Sequence, residues 1–197
     1  MNSPAPDTVP PNYHEVLHRG ITQSRWRLLG VYLLSVPVGI VGMVAFLLFA
    51  IQFGRLLEVQ LNGTMIEVVV PAMVAVVLIM VLHELTHGIT AQFYGARPRY
   101  GFSWKGLLPY VTTSGYAFTR NQYLVFLLMP LVGLSLVAML GMIAFAGSPM
   151  VVILATCAVG NAAGSSGDLG MAVIVARYPA QAYIAAGQDG LRVFLPR

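Results

Sequence analysis

Charge is what this sequence has least of. Only 9% of its 197 residues are Asp, Glu, Lys or Arg, where a soluble domain carries about 25%. With 57% hydrophobic residues and a mean hydropathy of +0.77, too little polar surface remains to cover a water-soluble globule. The expected class is therefore an integral membrane protein. Cysteine is nearly absent as well. Cys157 stands alone, which excludes an internal disulfide and leaves the redox compartment unreadable. No internal repeat is visible. The net charge of +4 does not call for nucleic acid as a partner, because membrane proteins carry excess Lys and Arg in their cytoplasmic loops.

What is abundant is long apolar sequence. Four runs each approach the roughly 20 residues needed to cross a bilayer. They are Leu28 to Phe53, Ile66 to Tyr94, Tyr123 to Ala146 and Met150 to Ala176. Pro37, Gly39 and Gly42 are expected to bend the first without ending it. The expected fold is all-α, with four transmembrane helices and a small β-type cytoplasmic loop between the second and third. Three regions follow: a cytoplasmic tail and interfacial segment over 1–27, a membrane domain over 28–178 and a cytoplasmic tail over 179–197. The opening MNSPAPDTVPPNY is polar and Pro-rich; it is expected to be disordered and does not resemble a cleaved signal peptide. Residues 95–121 are rich in Tyr, Phe, Trp, Val and Thr, with turn residues at Lys105-Gly106 and Ser114-Gly115, which suits short strands or a hairpin. A further turn at Gln188-Asp189-Gly190 precedes a possible strand, LRVF. Orientation follows from counting. Ten basic residues (Arg19, Arg25, Arg27, Arg97, Arg99, Lys105, Arg120, Arg177, Arg192 and Arg197) fall on one side of these spans, and only Arg55 on the other. The positive-inside rule then puts both termini in the cytoplasm of a multi-pass cell-membrane protein.

Against that background the ionisable groups inside the spans stand out. Asp7, Glu15, Glu58, Glu67 and Asp189 lie outside them or at their edges. Deep within them are only His83, Glu84, His87 and Asp168, each costly in hydrocarbon. Groups that expensive should be paired, metal-bound or turned to a wet cavity. On a helix His83 and His87 share one face. Two imidazoles can therefore meet one metal ion, while Glu84 reaches a bound water as general base. This is the H-E-x-x-H pattern. Zn²⁺ takes such ligands, leaves a position for water and lowers the pKa of that water toward 7. Zinc is the expected cofactor. A catalytic zinc usually needs a third protein ligand, and Asp168 is the remaining carboxylate. His87 lies ten residues before Arg97 and Asp168 nine before Arg177, so the two are expected at one depth in the cytoplasmic half of the bilayer. The run GNAAGSSGDLG (160–170) is made almost entirely of small residues and should let the fourth span approach the second near Gly88. Asn161, about two turns before Asp168, is a candidate for holding substrate. Blander roles stand beside these: a packing hydrogen bond for Asp168, a kink cap for Asn161, packing for Thr86, Ser165 and Ser166, and a small apolar filler for Cys157.

HELTHG (83–88) in a membrane helix, followed by NAAGSSGDL (161–169), resembles the site-2 protease class of intramembrane zinc metalloproteases. More closely it is similar to a prokaryotic family of small four-helix proteins described as zincin peptidases. The resemblance covers residues 65 to 195. It implies zinc ligands at His83, His87 and Asp168 and a base at Glu84. The class motif around the aspartate has Asn, then Pro, then Leu-Asp-Gly. Here Gly164 replaces the Pro, Gly167-Asp168-Leu169 replaces Leu-Asp-Gly, and the Asn-to-Asp spacing is one shorter. The resemblance also implies that residues 99 to 118 pair with an unwound substrate by strand addition. The expected activity is hydrolysis of peptide bonds in membrane-embedded or membrane-adjacent protein substrates. The alternative is a catalytically inactive metal-binding membrane scaffold, which the presence of Glu84 argues against. A metal carrier should show further polar groups along a path, and only one cluster exists. Di-iron chemistry generally needs more ligands.

Overall fold

Proline, glycine and serine decide where the long apolar helices of this chain stop or bend. The structure, a computed structural model, describes residues 6, 8–19, 25–60, 65–103, 108–187 and 190–197. The described helices are α1 (Arg25–Gln52), α2 (Met65–Phe93), α3 (Arg120–Ala144), α4 (Met150–Gly164) and α5 (Ser166–Ala176). The strands are β1 (Tyr13–Arg19), β2 (Arg99–Ser103), β3 (Leu108–Thr112), β4 (Ala117–Thr119), β5 (Tyr183–Gly187) and β6 (Gly190–Pro196).

Helix α2 ends because Gly95 adopts a left-handed φ of 89°. Its N–H reaches the Gln92 carbonyl at 2.9 Å, and the Ala96 N–H reaches Ala91 at 3.0 Å. That is the paired bonding of a Schellman cap, which satisfies the last carbonyls and turns the chain toward β2. In the loop after α1, Arg55 Nε donates to Glu58 Oε1 at 2.8 Å. That hydrogen bond holds the Glu58 carboxyl below its ordinary range.

Where the sequence predicts four spans, the described residues offer fewer. Val69–Phe93 and Arg120–Ala144 are long and apolar enough to cross a membrane, and α4 with α5 makes a third candidate as a bent pair. The described apolar part of α1, Val36–Gln52, is shorter. The fourth run is thus not one straight helix. Ser165 interrupts it: its hydroxyl donates to the Asn161 carbonyl at 2.8 Å, a back-bond that bends helices. The flanking Gly164 and Gly167 add little helix propensity.

The all-α expectation also needs correction. The structure is mainly helical but includes a four-stranded antiparallel sheet, in the order β1-β6-β5-β4, and a separate β2-β3 hairpin. The hairpin fits the strand expectation for 95–121, and LRVF lies within β6. The segment before β1 has turns rather than the expected disorder from Thr8 onward, and Thr8 Oγ1 accepts the Ala117 N–H at 2.7 Å. The turns expected at Lys105-Gly106 and Gln188-Asp189 and the first residues of the expected disordered tail lie outside the described residues.

Two compact units divide the chain. The first comprises 1–31, 84–129 and 168–197; the second comprises 32–83 and 130–167. In the first, strand alternation sorts the sheet into two faces. Phe118, Ile184, Leu191 and Val193 pack with the helix residues Ala91, Phe126 and Val175 in the main core. Ala117, Ala185 and Phe194 face the other way, covered by Val9 and Tyr13. On that second face Arg192 pairs with Glu15 at 2.6 Å and lies over the Phe194 ring. In the second unit, Ala50, Met142 and Val151 form a small core with Phe46, Phe49 and Leu154. Small residues set the helix approach there: a side chain at Gly42 would strike Ala162, and Gly160 sits against Ile79. Phe118 is wholly buried. Phe118→Ala is therefore expected to cost about 3–5 kcal/mol in denaturant titration of the detergent-solubilised protein, whereas Val16→Ala at an exposed strand position should stay within about 0.5 kcal/mol.

Candidate metal centre

His83, Glu84 and His87 occupy the last three turns of α2. Positions four apart on a helix lie on one face, and this face points inward: His83 is 8% exposed and His87 4%, while Leu82 and Leu85 beside them are exposed. Glu84 is half-buried. Two imidazoles in apolar surroundings need partners for their polar atoms, and each finds one through Nδ1.

His87 belongs to the first unit. Its Nδ1 lies 2.8 Å from the Phe126 carbonyl oxygen, and its ring lies tilted against that of Phe126, 4.7 Å between centroids. A carbonyl only accepts, so Nδ1 carries the proton. In α3 the usual donor to that carbonyl would be the N–H four residues on, but residue 130 is proline and has none. The Phe126 oxygen is thereby available to the imidazole. On the other side of the ring, Nε2 is 3.3 Å from Asp168 Oδ2. With Nδ1 protonated, a neutral ring points the Nε2 lone pair at a carboxylate oxygen. Two acceptors that close are suited to holding a proton or a cation between them.

His83 belongs to the second unit, where its Nδ1 lies 2.9 Å from Asn161 Oδ1. The Asn161 amide nitrogen donates to the Pro130 carbonyl at 3.0 Å and lies 3.5 Å from Ser135 Oγ. The Pro130 carbonyl fixes which end of the amide is which: NH₂ toward the carbonyl, oxygen toward His83. His83 Nδ1 is then a donor as well, and its Nε2 carries the lone pair. Asn161 is buried and engaged at both ends in this arrangement.

His83, His87 and Asp168 form a group of potential metal ligands, each offering one ligand atom. His83 keeps its place relative to His87 through the uninterrupted turn of α2 that carries both. Two imidazoles presenting Nε2, with Nδ1 backed by fixed acceptors, and one carboxylate make a donor set that fits zinc. The break at Ser165 puts Asp168 in the first turn of α5, where the helix dipole favours a carboxylate. Its side chain is 21% exposed against 5% for His87, so the aspartate is the more exposed of the pair. Gly88, expected to admit a neighbouring helix, instead admits Tyr100 of β2, whose hydroxyl occupies the space a side chain at position 88 would take. Sequence reading missed the Phe126 carbonyl and Ser135; Pro130 was the available signal for the first.

A family model described as "putative zincin peptidase" matches residues 76–183, over half of the chain. No curated protein and no solved structure matches. Elemental mass spectrometry of the purified protein should find a single zinc per chain, and Asp168→Ala should lose it or hold it far more weakly. Full zinc retention by that variant would remove Asp168 from the ligand set.

Proposed function

The chain belongs to the zincin peptidase family, and from that premise we propose that it is a zinc metallopeptidase working within the membrane, on protein substrates that span or adjoin the bilayer. The observation that carries this reading is the pair of Nδ1-anchored histidines on one buried helix face, with Asp168 against His87 and Glu84 beside His83. His83 and His87, through Nε2, and Asp168, through a carboxylate oxygen, would hold the ion. When bound, zinc lowers the pKa of water and polarises a carbonyl. Glu84 would accept the proton of the attacking water and pass it to the amine nitrogen as the peptide C–N bond breaks. The surrounding apolar helices would keep bulk water out, and the exposed edge of Asp168 marks where water enters. The hairpin of β2 and β3, with Tyr100 against Gly88, would give an extended substrate a strand to pair with. The distribution of basic residues supports cytoplasmic termini and a cell-membrane location.

The test uses proteoliposomes carrying a library of transmembrane reporter peptides. Wild type should cleave members of the library, phenanthroline should stop cleavage and added zinc restore it. Glu84→Gln should cut about 10²- to 10⁴-fold more slowly while keeping its zinc. A Glu84→Gln protein as active as wild type would falsify the mechanism.

A further inference from the structure

Proline is among the least tolerated residues in a helix interior, yet Pro130 sits within α3, fully buried. Its missing N–H leaves the Phe126 carbonyl without a helical donor, and that carbonyl is the one His87 Nδ1 occupies at 2.8 Å. Its own carbonyl accepts the Asn161 amide at 3.0 Å, and the other end of that amide meets His83 Nδ1 at 2.9 Å. Each histidine is thus oriented from the same proline, one through the bond it omits and one through the bond its carbonyl accepts. Pro37 in α1 and Pro71 in α2 are also helix-interior prolines. The residues four positions before them are Leu33 and Glu67, and neither is the residue that backs His83 or His87.

We infer that Pro130 is a positioning residue of the metal centre, setting the tautomer and ring orientation of His87 through the Phe126 carbonyl and of His83 through Asn161. This rests on the metallopeptidase reading of the same site. Without the proline, a backbone N–H at position 130 competes for the Phe126 oxygen. The His87 ring is then free to turn, and the Nε2 lone pair no longer points where the other ligands converge. The metal-binding role of a histidine depends on what its second nitrogen does, and removing such a partner typically weakens metal affinity about ten- to a hundredfold.

The experiment compares wild type, Pro130→Ala and Pro37→Ala as full-length protein in detergent. Zinc affinity is read by chelator competition, and ligand geometry by the visible absorption of the cobalt-loaded protein. Pro130→Ala should bind zinc about ten- to a hundredfold more weakly with an altered cobalt spectrum. Pro37→Ala should match wild type in both, which separates histidine orientation from the general effect of removing a helix proline. Wild-type affinity and spectrum in Pro130→Ala would overturn the inference and leave the metallopeptidase reading standing. Absence of zinc binding by wild type itself would overturn both. If Pro130→Ala fails to give folded protein by circular dichroism and size exclusion, Asn161→Ala decides on the same scale. Tenfold or greater weakening supports the inference, and wild-type affinity overturns it.

Discussion

The hydrogen bonds made by the two Nδ1 atoms constrain everything else in the site. An imidazole in an apolar helix has two polar nitrogens and one mobile proton. Once Nδ1 donates to a fixed oxygen, the tautomer, the ring plane and the direction of the Nε2 lone pair are all decided. The acceptors are fixed because they are anchored themselves: the Phe126 oxygen by the backbone of α3, and the Asn161 oxygen by its amide on Pro130. α2 brings the rings; their orientation is imposed from α3 and α4. Asp168 then meets a nitrogen whose lone pair is already committed in direction.

The polar groups are spent sparingly. The exposed side chains of α2 and α3 are mostly apolar, which suits a bilayer. Among the described residues, His83 and Asn161 are buried and bonded in a relay that ends on the Pro130 carbonyl. The broken run at Ser165 follows the same logic. An interruption leaves backbone groups that lipid cannot satisfy, and Ser165 answers by bonding the Asn161 carbonyl with both its N–H and its hydroxyl.

The grouping of candidate ligands on α2 is readable because the helical period alone places His83 beside His87, and Asp168 is the one carboxylate besides Glu84 deep within the apolar runs. The supports were harder to see. A backbone carbonyl has no letter in the sequence, so Phe126 reads as an ordinary core aromatic; only the proline four residues later hints that its oxygen is available. The stretch Gly164 to Gly167 reads equally well as a packing surface or as a break, because small residues serve both, and the back-bond of Ser165 decides. The sheet was largely hidden. β1 looks like a short polar segment, and although LRVF in β6 reads as a strand, nothing local reveals that the two are each other's partner.

That pairing has a consequence for how the protein is made. Glu15 on β1 meets Arg192 on β6 across 177 residues, and β6 lies between β1 and β5. At ordinary synthesis rates of about 5–20 residues per second, β1 waits on the order of ten seconds or more for the chain that completes its ladder. Throughout that interval β1 lacks its partner strand, the condition in which strands recruit the wrong one. Assembly of the sheet is therefore a late event, and a chain cut short before β6 would carry β1 and β5 without the strand that pairs with both.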